Sequence, residues 1–254
     1  MPLDRRTFTT MAAASLASAK MLLRQARAAG RPAFRAVAFD GFPVIDARPV
    51  FARVEEMFPD KGAELSAAWR TRQFEYTWLR TLGGQYADFW HVTEDALMFA
   101  AKSIKIELSP ERRDRLMQTY LELKAWPDVL PALRQLRAAG LRMAFLSNLT
   151  APMLDAVVRN SGLEGLFEDH LSTDRVQAFK PDSRAYQMGL DAFGLKKEEI
   201  VFAAFAGWDA AGAKWFGYPT FWVNRAKAGL EELGVAPDGS GTGLNDLVAF
   251  ATAR

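Results

Sequence analysis

Polar side chains that could do chemistry follow three apolar runs of this 254-residue chain. They are the acid Asp40 after residues 35–39, the pair Ser147 and Asn148 after residues 141–146, and the acid Asp209 after residues 200–204. A carboxylate can act as a nucleophile or a general base, and hydroxyl and amide groups can hold a polar substrate. The pattern favours an enzyme that works through a carboxylate, although an Asp after a strand can also cap a turn.

The apolar runs themselves are typical of buried β-strands, and a fourth strand is predicted at residues 220–223. Amphipathic segments between the runs predict helices at residues 126–139, 152–160 and 183–193. Strands that alternate with helices indicate an α/β fold with a Rossmann-like, doubly wound parallel sheet covered on both faces. Ligands of such sheets bind beyond the carboxyl ends of the strands, where we expect the polar side chains to gather.

A helical insertion is predicted at residues 47–124, because this stretch has no good strand pattern. Its clearest helix covers residues 65–82, in which Arg70, Phe74 and Trp78 are spaced by four and therefore share one face. Since the insertion follows the first strand, we expect it to form a cap over the end of that strand.

The predicted domains follow from this insertion. The Rossmann-like core comprises residues 34–46 and 125–254, and the helical cap comprises residues 47–124. Within the core, residues 226–243 contain several glycines, which predicts a surface loop with a short helix.

Composition excludes several classes of protein. The chain has no Cys, so disulfides, thiolate catalysis and zinc ribbons are excluded, and its two histidines, His91 and His170, cannot form a three-His metal centre. The formal net charge of +2 is concentrated in residues 1–28, which leaves the remainder slightly acidic and gives no indication of nucleic-acid binding. No apolar run approaches the roughly 18 residues of a transmembrane helix, so the mature protein is not expected in a membrane.

The N-terminal segment, residues 1–28, is interpreted as an export signal. Arg5 and Arg6, followed by Thr7 and Phe8, resemble the twin-arginine signature, and residues 26–28 offer the small side chains that a signal peptidase needs. A basic amphipathic helix is the alternative, since Lys20 and Arg24 interrupt the apolar region. The export interpretation predicts a periplasmic protein.

Seven segments together resemble the haloacid dehalogenase superfamily. Four of them are superfamily motifs: Ala38–Asp40, Leu146–Asn148, Phe179–Asp182 and Trp208–Ala213. Three more resemble the type II 2-haloacid dehalogenases specifically: Trp69–Arg80, Tyr86–Trp90 and Gly217–Arg225. The resemblance covers residues 34 to about 250 and implies a Rossmann-like core with a helical cap.

The resemblance implies a role for each matched residue. Asp40 would be the nucleophile that forms an ester with the substrate, Arg70 would hold the departing halide, and Lys180 would neutralise the acids around Asp40. Asp209 would hold Lys180 or the hydrolytic water. The remaining matched residues would bind substrate or form the pocket: Ser147, Asn148, Tyr186, Phe42, Phe74, Phe89 and Trp208. Turn formation by Ser147 and Asn148 and simple packing of the aromatic residues are the alternatives.

The sequence departs from the family pattern around the nucleophile. Type II enzymes usually carry Asp-x-Tyr-Gly-Thr, whereas residues 40–44 here are Asp-Gly-Phe-Pro-Val and the loop is one residue shorter. The family Ser and Asn before the last acid align with Ala204 and Ala206. Loss of one positioned donor typically costs on the order of 10² to 10³ in rate, so ester hydrolysis is the step that these changes threaten.

Three functions remain compatible with the sequence. The first is hydrolytic dehalogenation of short-chain 2-haloalkanoic acids, with no cofactor or metal, with haloacid and halide as ligands, and with a homodimer implied by the resemblance. The second is an exported, non-catalytic or chemically diverged binding protein. The third is a magnesium-dependent phosphatase, which ranks low because such enzymes need an acid two residues after the nucleophile, where this chain has Phe42.

The export signal makes a direct prediction. Changing both Arg5 and Arg6 to Lys should retain the protein in the cytoplasm, and mature protein recovered from the periplasm should begin near Ala29. Cell fractionation and N-terminal sequencing measure both. Unchanged periplasmic accumulation of the double variant would contradict this interpretation.

Overall fold

The computed structural model describes residues 34–253. The export signal predicted at residues 1–28 lies outside the described residues. Six parallel strands form the central sheet: β1 Ala36–Phe39, β4 Arg142–Ser147, β5 His170–Ser172, β6 Ile200–Ala204, β7 Thr220–Val223 and β8 Gly239–Gly241. Their order across the sheet is β5-β4-β1-β6-β7-β8. The predicted doubly wound α/β fold is confirmed.

Strand β1 lies at the centre of the sheet, hydrogen-bonded to β4 on one side and to β6 on the other. All four of its residues are fully buried, as expected for a strand of a parallel sheet that is covered on both faces. The register pairs Phe39 with Phe145 of β4 and with Ala203 of β6. Asp40 therefore leaves the sheet between the carboxyl ends of its two neighbouring strands.

The helices of the core flank this sheet. They are α5 Val129–Ala138, α6 Ala151–Ser161, α7 Ser183–Phe193, α8 Gly207–Phe216 and α9 Leu244–Thr252. Two of these helices were predicted to stop at a glycine. Helix α7 is capped by Gly194 in the left-handed conformation, whereas α5 is capped by Ala139, one residue before Gly140. No helix among residues 34–253 is long and apolar enough to cross a membrane.

The prediction of a short helix within residues 226–243 is wrong. The structure has a loop there that leads into strand β8, which pairs with β7 at the edge of the sheet. Close packing explains the strand: a Cβ atom at Gly239 would lie 2.8 Å from the ring of Phe250 and 3.0 Å from the ring of Phe221. Gly239 allows the backbone of β8 to approach these aromatic residues, and Gly241 allows it to approach Asp246.

The helical insertion has four helices, α1 Arg48–Met57, α2 Gly62–Leu82, α3 Phe89–Ser103 and α4 Pro110–Thr119. Polar bonds inside its core join α2 to α3: the Nε1 of Trp69 donates to the carbonyl of Thr93 over 2.8 Å, and the Nε2 of Gln73 donates to the Thr93 hydroxyl over 2.7 Å. Both donors are buried. Because a buried donor without a partner is costly, these bonds fix the orientation of α2 relative to α3.

A small antiparallel sheet closes the insertion at its base. Strand β2, Ile45–Asp46, pairs with β3, Lys124–Ala125, where the chain leaves and re-enters the core. The Nε1 of Trp126 also donates to the carbonyl of Ile45 over 2.9 Å. Sequence patterns did not predict this pair, because two-residue strands carry too few residues to show alternation.

Two hydrogen bonds join the insertion to the loops at the carboxyl end of the sheet. The Thr81 hydroxyl of α2 accepts from the backbone N–H of Phe179 over 3.0 Å, and the Tyr86 hydroxyl donates to Asp174 over 2.5 Å. Burial, reinforced by the Asp174 carboxylate, raises the pKa of Tyr86, so the tyrosine stays a donor at ordinary pH. The insertion is thereby held over the end of β1.

Candidate active site

A buried ammonium joins the two predicted acids at the carboxyl end of the sheet. The Nζ of Lys180 lies 2.7 Å from the Oδ1 of Asp40, after β1, and 2.7 Å from the Oδ2 of Asp209, in the first turn of α8. The Lys180 side chain is 1% exposed. An unpaired charge at this depth would be unstable, so the lysine and the two carboxylates depend on one another.

Opposing effects set the proton affinities in this cluster. Burial disfavours the charged form of Lys180, but the carboxylates of Asp209 and Asp40 outweigh it and raise the lysine pKa. For Asp209, burial and the nearby charge of Asp40 outweigh the attraction of Lys180 and raise its pKa to about 6. The cluster therefore holds a charged lysine, and Asp209 takes up a proton at a higher pH than an ordinary aspartate does.

Tyr186 completes the buried side of the cluster, and it acts through Asp209. Its hydroxyl donates to the Oδ1 of Asp209 over 2.7 Å, and burial together with the Asp209 charge raises the pKa of the tyrosine well above its usual value. Gly212 makes room for this bond, because a Cβ atom there would lie 2.5 Å from the Tyr186 hydroxyl. Tyr186, predicted to bind substrate or form the pocket, thus lies against Asp209 and is not among the residues that line the pocket.

The two carboxylate oxygens of Asp40 have different surroundings. Oδ1 accepts from Lys180 and, over 3.5 Å, from the Ser147 hydroxyl, whereas Oδ2 accepts from the backbone N–H of Phe42 over 3.1 Å. Among residues 34–253, Oδ2 has no further hydrogen-bond partner. The arrangement leaves Oδ2 of the carboxylate with a single backbone contact and available to react.

Most of the predicted site residues surround a single small pocket. Its walls are Asp40, Phe42, Phe74, Phe89, Ser147, Asn148, Leu149, Phe205, Ala206, Trp208 and Asp209. The aromatic residues come from both the insertion and the core, and Phe74 meets Trp208 with ring centroids 5.5 Å apart. An anionic carboxylate thus faces an apolar, aromatic-walled space.

Ser147 and Asn148 combine the two roles that the sequence left open. The Ser147 hydroxyl accepts from the backbone N–H of Leu149 over 3.2 Å, and the Asn148 Oδ1 accepts from the backbone N–H of Lys180 over 3.1 Å. Both side chains therefore organise their turns and also line the pocket. With its Oδ1 so engaged, Asn148 can offer its amide NH₂ to a ligand.

Arg70 is the predicted catalytic residue that the structure does not bring to Asp40. It lies on α2 one turn before Phe74, but its side chain is exposed and makes no hydrogen bond or ion pair within residues 34–253. The pocket has a cavity volume of about 10 Å³, which leaves no room for a guanidinium. The neighbours Arg72 and Arg80 form ion pairs with Glu75 and Asp95.

Phe205 and Leu149 line the pocket but were not identified from the sequence. Phe205 packs against Phe42, with ring centroids 5.6 Å apart. Phe205 stands between Ala204 and Ala206, the two positions at which the sequence departs from the family pattern, and that position was the available signal. The signal was missed because Phe205 follows the buried residues of β6, and an apolar residue after an apolar strand is interpreted as part of that strand.

The residues around Asp40 do not resemble a divalent-metal site. Within residues 34–253, no group of three or more His, Asp or Glu side chains is placed to hold a metal ion, and the lysine ammonium occupies the position between the two carboxylates. A metal-dependent phosphatase of this fold needs an acid at the position of Phe42, and the side chain of Phe42 has no oxygen that could bind a metal. Hard cations such as Mg²⁺ need several oxygen ligands.

Comparison with known proteins agrees with this geometry. The family model described as haloacid dehalogenase-like hydrolase matches residues 8–217. An (S)-2-haloacid dehalogenase of Pseudomonas sp. (strain YL) is 42% identical over 221 residues, which cover 86% of this chain and 95% of the relative. The crystal structure of an L-2-haloacid dehalogenase superposes with a TM-score of 0.85 at 41% identity, covering 87% of this chain and all of that one.

A further solved structure captures a reaction step. The L-2-haloacid dehalogenase from Xanthobacter autotrophicus with chloropropionic acid covalently bound has a TM-score of 0.79 and 30% identity, covering 87% of this chain and 99% of that one. The matching family model and these relatives extend over most of both chains. The chain therefore belongs to the haloacid dehalogenase-like hydrolase family.

Proposed function

We propose that this protein hydrolyses short-chain 2-haloalkanoic acids to 2-hydroxy acids and halide through an ester on Asp40. The observation that carries the proposal is the Asp40 carboxylate, ion-paired to the buried Lys180 and facing an aromatic pocket. The (S)-2-haloacid dehalogenase relative and the structure with covalently bound chloropropionic acid support the same reaction.

In the first step, an oxygen of Asp40 attacks C2 of the substrate while the carbon–halogen bond breaks and the halide leaves with the bonding electrons. We assign the attack to Oδ2, since Oδ1 is held by Lys180 over 2.7 Å. In the apolar pocket the carboxylate has few competing hydrogen bonds from water, which favours attack on carbon. The product of this step is an ester between Asp40 and the 2-carbon of the acid.

In the second step, water attacks the carboxyl carbon of Asp40 and the ester bond to the carboxyl carbon breaks. The 2-hydroxy acid leaves with an oxygen that came from Asp40, and Asp40 regains an oxygen from water with the release of one proton. Lys180 stabilises the negative charge that develops on the carboxyl oxygens, since its Nζ is already within 2.7 Å of Oδ1. Asp209 and Tyr186 position Lys180 from the other side.

Substrate binding is assigned to the polar groups at the end of β4 and to Arg70 in the middle of α2. Ser147 and the amide of Asn148 line the pocket and can hold the substrate carboxylate or halide. Arg70 lies one turn from Phe74 on the same face of α2, so a change of its rotamer would direct the guanidinium towards the pocket mouth. We assign it the role of a cation that attracts the two anions.

The hydrolytic step has less polar support than the attack. Among the described residues, the pocket wall next to Asp209 is Phe205 and Ala206, which have no side-chain donor, and Phe42 offers only its backbone N–H to Asp40. We therefore propose that ester hydrolysis is slower than ester formation. A complete loss of this step would give the diverged binding protein that the sequence left open.

Two further proposals concern the context of the enzyme. The twin-arginine-like segment at Arg5 and Arg6 supports export to the periplasm. Exposed apolar side chains on α2, Leu79 and Leu82, are compatible with a homodimer through the insertion. Fractionation of cells and the mass of the protein in solution test these two proposals separately.

Halide release tests the proposed function. Purified protein should release halide from 2-chloro- and 2-bromoalkanoic acids, and Asp40→Ala should lower the rate by at least about 10³, as expected for loss of a nucleophile. Asp191→Asn is the matched control, because this acid lies on the exposed face of α7 and bonds only to Gln187 among the described residues. Activity should be unchanged by EDTA.

Each other result of that experiment has a distinct meaning. Loss of activity in EDTA with recovery in Mg²⁺ would support the phosphatase-like alternative. Equal activity of wild type and Asp40→Ala would reject Asp40 as the nucleophile. No halide from any haloacid would contradict the proposed function and favour a binding protein.

The assignment of Arg70 makes a separate prediction. Arg70→Ala should lower kcat/KM for halide release by about 10² to 10³, because an anion-binding cation is lost. Arg72→Ala should have much less effect, since Arg72 pairs with Glu75 on the surface of the insertion. Equal effects of the two substitutions would show that Arg70 has no special role.

A further inference from the structure

The pocket beside Asp40, as it stands in this structure, is too small for any of the acids that the proposed function includes. Its cavity volume of about 10 Å³ is close to the minimum that holds one water molecule. Even the smallest haloacid is larger than a water molecule. Some part of the wall therefore has to move when a substrate enters, and the wall that yields will decide which substrates fit.

The side chains of the wall differ in how freely they can move. Phe89 is fully buried and Leu149 is 2% exposed, so both are fixed by close packing. Phe42 and Phe205 are only partly buried, and they contact each other with ring centroids 5.6 Å apart. This aromatic pair and Asp40 line the same pocket.

The backbone at Phe205 is fixed although its side chain is not. The carbonyl of Phe205 accepts from the Nε1 of Trp222 over 2.9 Å. Phe42 is similarly tethered, because its N–H donates to Asp40. The two phenyl rings can rotate, but the backbone hydrogen bonds hold the loops that carry them in place. The space that ring rotation can open is therefore limited.

Substrates of this reaction differ in what C2 carries besides the carboxylate and the halogen. Haloacetates carry two hydrogen atoms, whereas longer 2-haloalkanoic acids carry one alkyl group. In-line attack by Asp40 fixes the direction of the halide, and the position of the carboxylate together with the configuration at C2 then fixes where the alkyl group must go. An alkyl group on the side of the aromatic pair requires the pair to open further with each added carbon.

We infer that Phe205, packed on Phe42, is a specificity-determining residue that makes this site prefer two-carbon haloacetates to longer 2-haloalkanoic acids. The inference rests on the proposed function for its reaction and adds the size class of the substrate. A poorly fitting methylene changes discrimination by roughly 10- to 200-fold. The wild-type enzyme should therefore prefer chloroacetate to (S)-2-chlorobutanoate by at least about 10-fold in kcat/KM.

The test compares wild type, Phe205→Leu and Phe205→Ala on chloroacetate, (S)-2-chloropropionate and (S)-2-chlorobutanoate. The preference for chloroacetate should fall stepwise as residue 205 becomes smaller, by about 10-fold or more for the alanine variant. Phe99→Ala is the matched control, since this aromatic residue is 41% exposed on α3 and packs near Arg72, away from the pocket.

A second measurement does not need turnover. Calorimetric binding of glycolate, L-lactate and (S)-2-hydroxybutanoate to wild type and to Phe205→Ala should show the same dependence on size. Size-graded binding without halide release would leave the inference standing and reject the proposed function. Halide release with an unchanged preference in Phe205→Ala would reject the inference and leave the function standing. Absence of both halide release and hydroxy-acid binding would reject both.

Discussion

The ion pairs of Lys180 with Asp40 and Asp209 are the interaction on which the site depends. A buried ammonium is stable only when carboxylates surround it, and these carboxylates come from two elements that are distant in the sequence. The parallel sheet brings them together, because β1 is central and α8 begins beside it. The same ammonium leaves Asp40 charged while one of its oxygens remains available for reaction.

The rest of the pocket is organised by packing. Phe42, Phe74 and Trp208 enclose the nucleophile with apolar surface, and bonds of Thr81 and Tyr86 to the core hold the insertion over it. This environment favours attack of a carboxylate on carbon, but it supplies few donors to orient a water molecule. The structure thus explains why the two steps of the proposed reaction can differ in rate.

The sequence predicted four of the six strands of the sheet, a helical insertion at residues 47–124, and the acids that follow the strands. Strand ends are predictable because buried strands have a strong apolar pattern and the polar residue that follows stands out, as at Asp40. Rotamers and packing are not predictable in this way. The contact of Phe205 with Phe42 and the small strands β2 and β3 depend on long-range contacts. The exposed side chain of Arg70 is a rotamer that no sequence pattern encodes.

The central claim is that Asp40 bonds covalently to the substrate carbon. A single turnover with excess enzyme in H₂¹⁸O tests it most directly, by mass spectrometry of the product and of the peptide that contains Asp40. The account predicts an unlabelled 2-hydroxy acid and ¹⁸O in the Asp40 carboxylate, since water enters only when the ester is hydrolysed. Label in the hydroxy acid after one turnover would mean that water attacks the carbon directly, and would contradict the account.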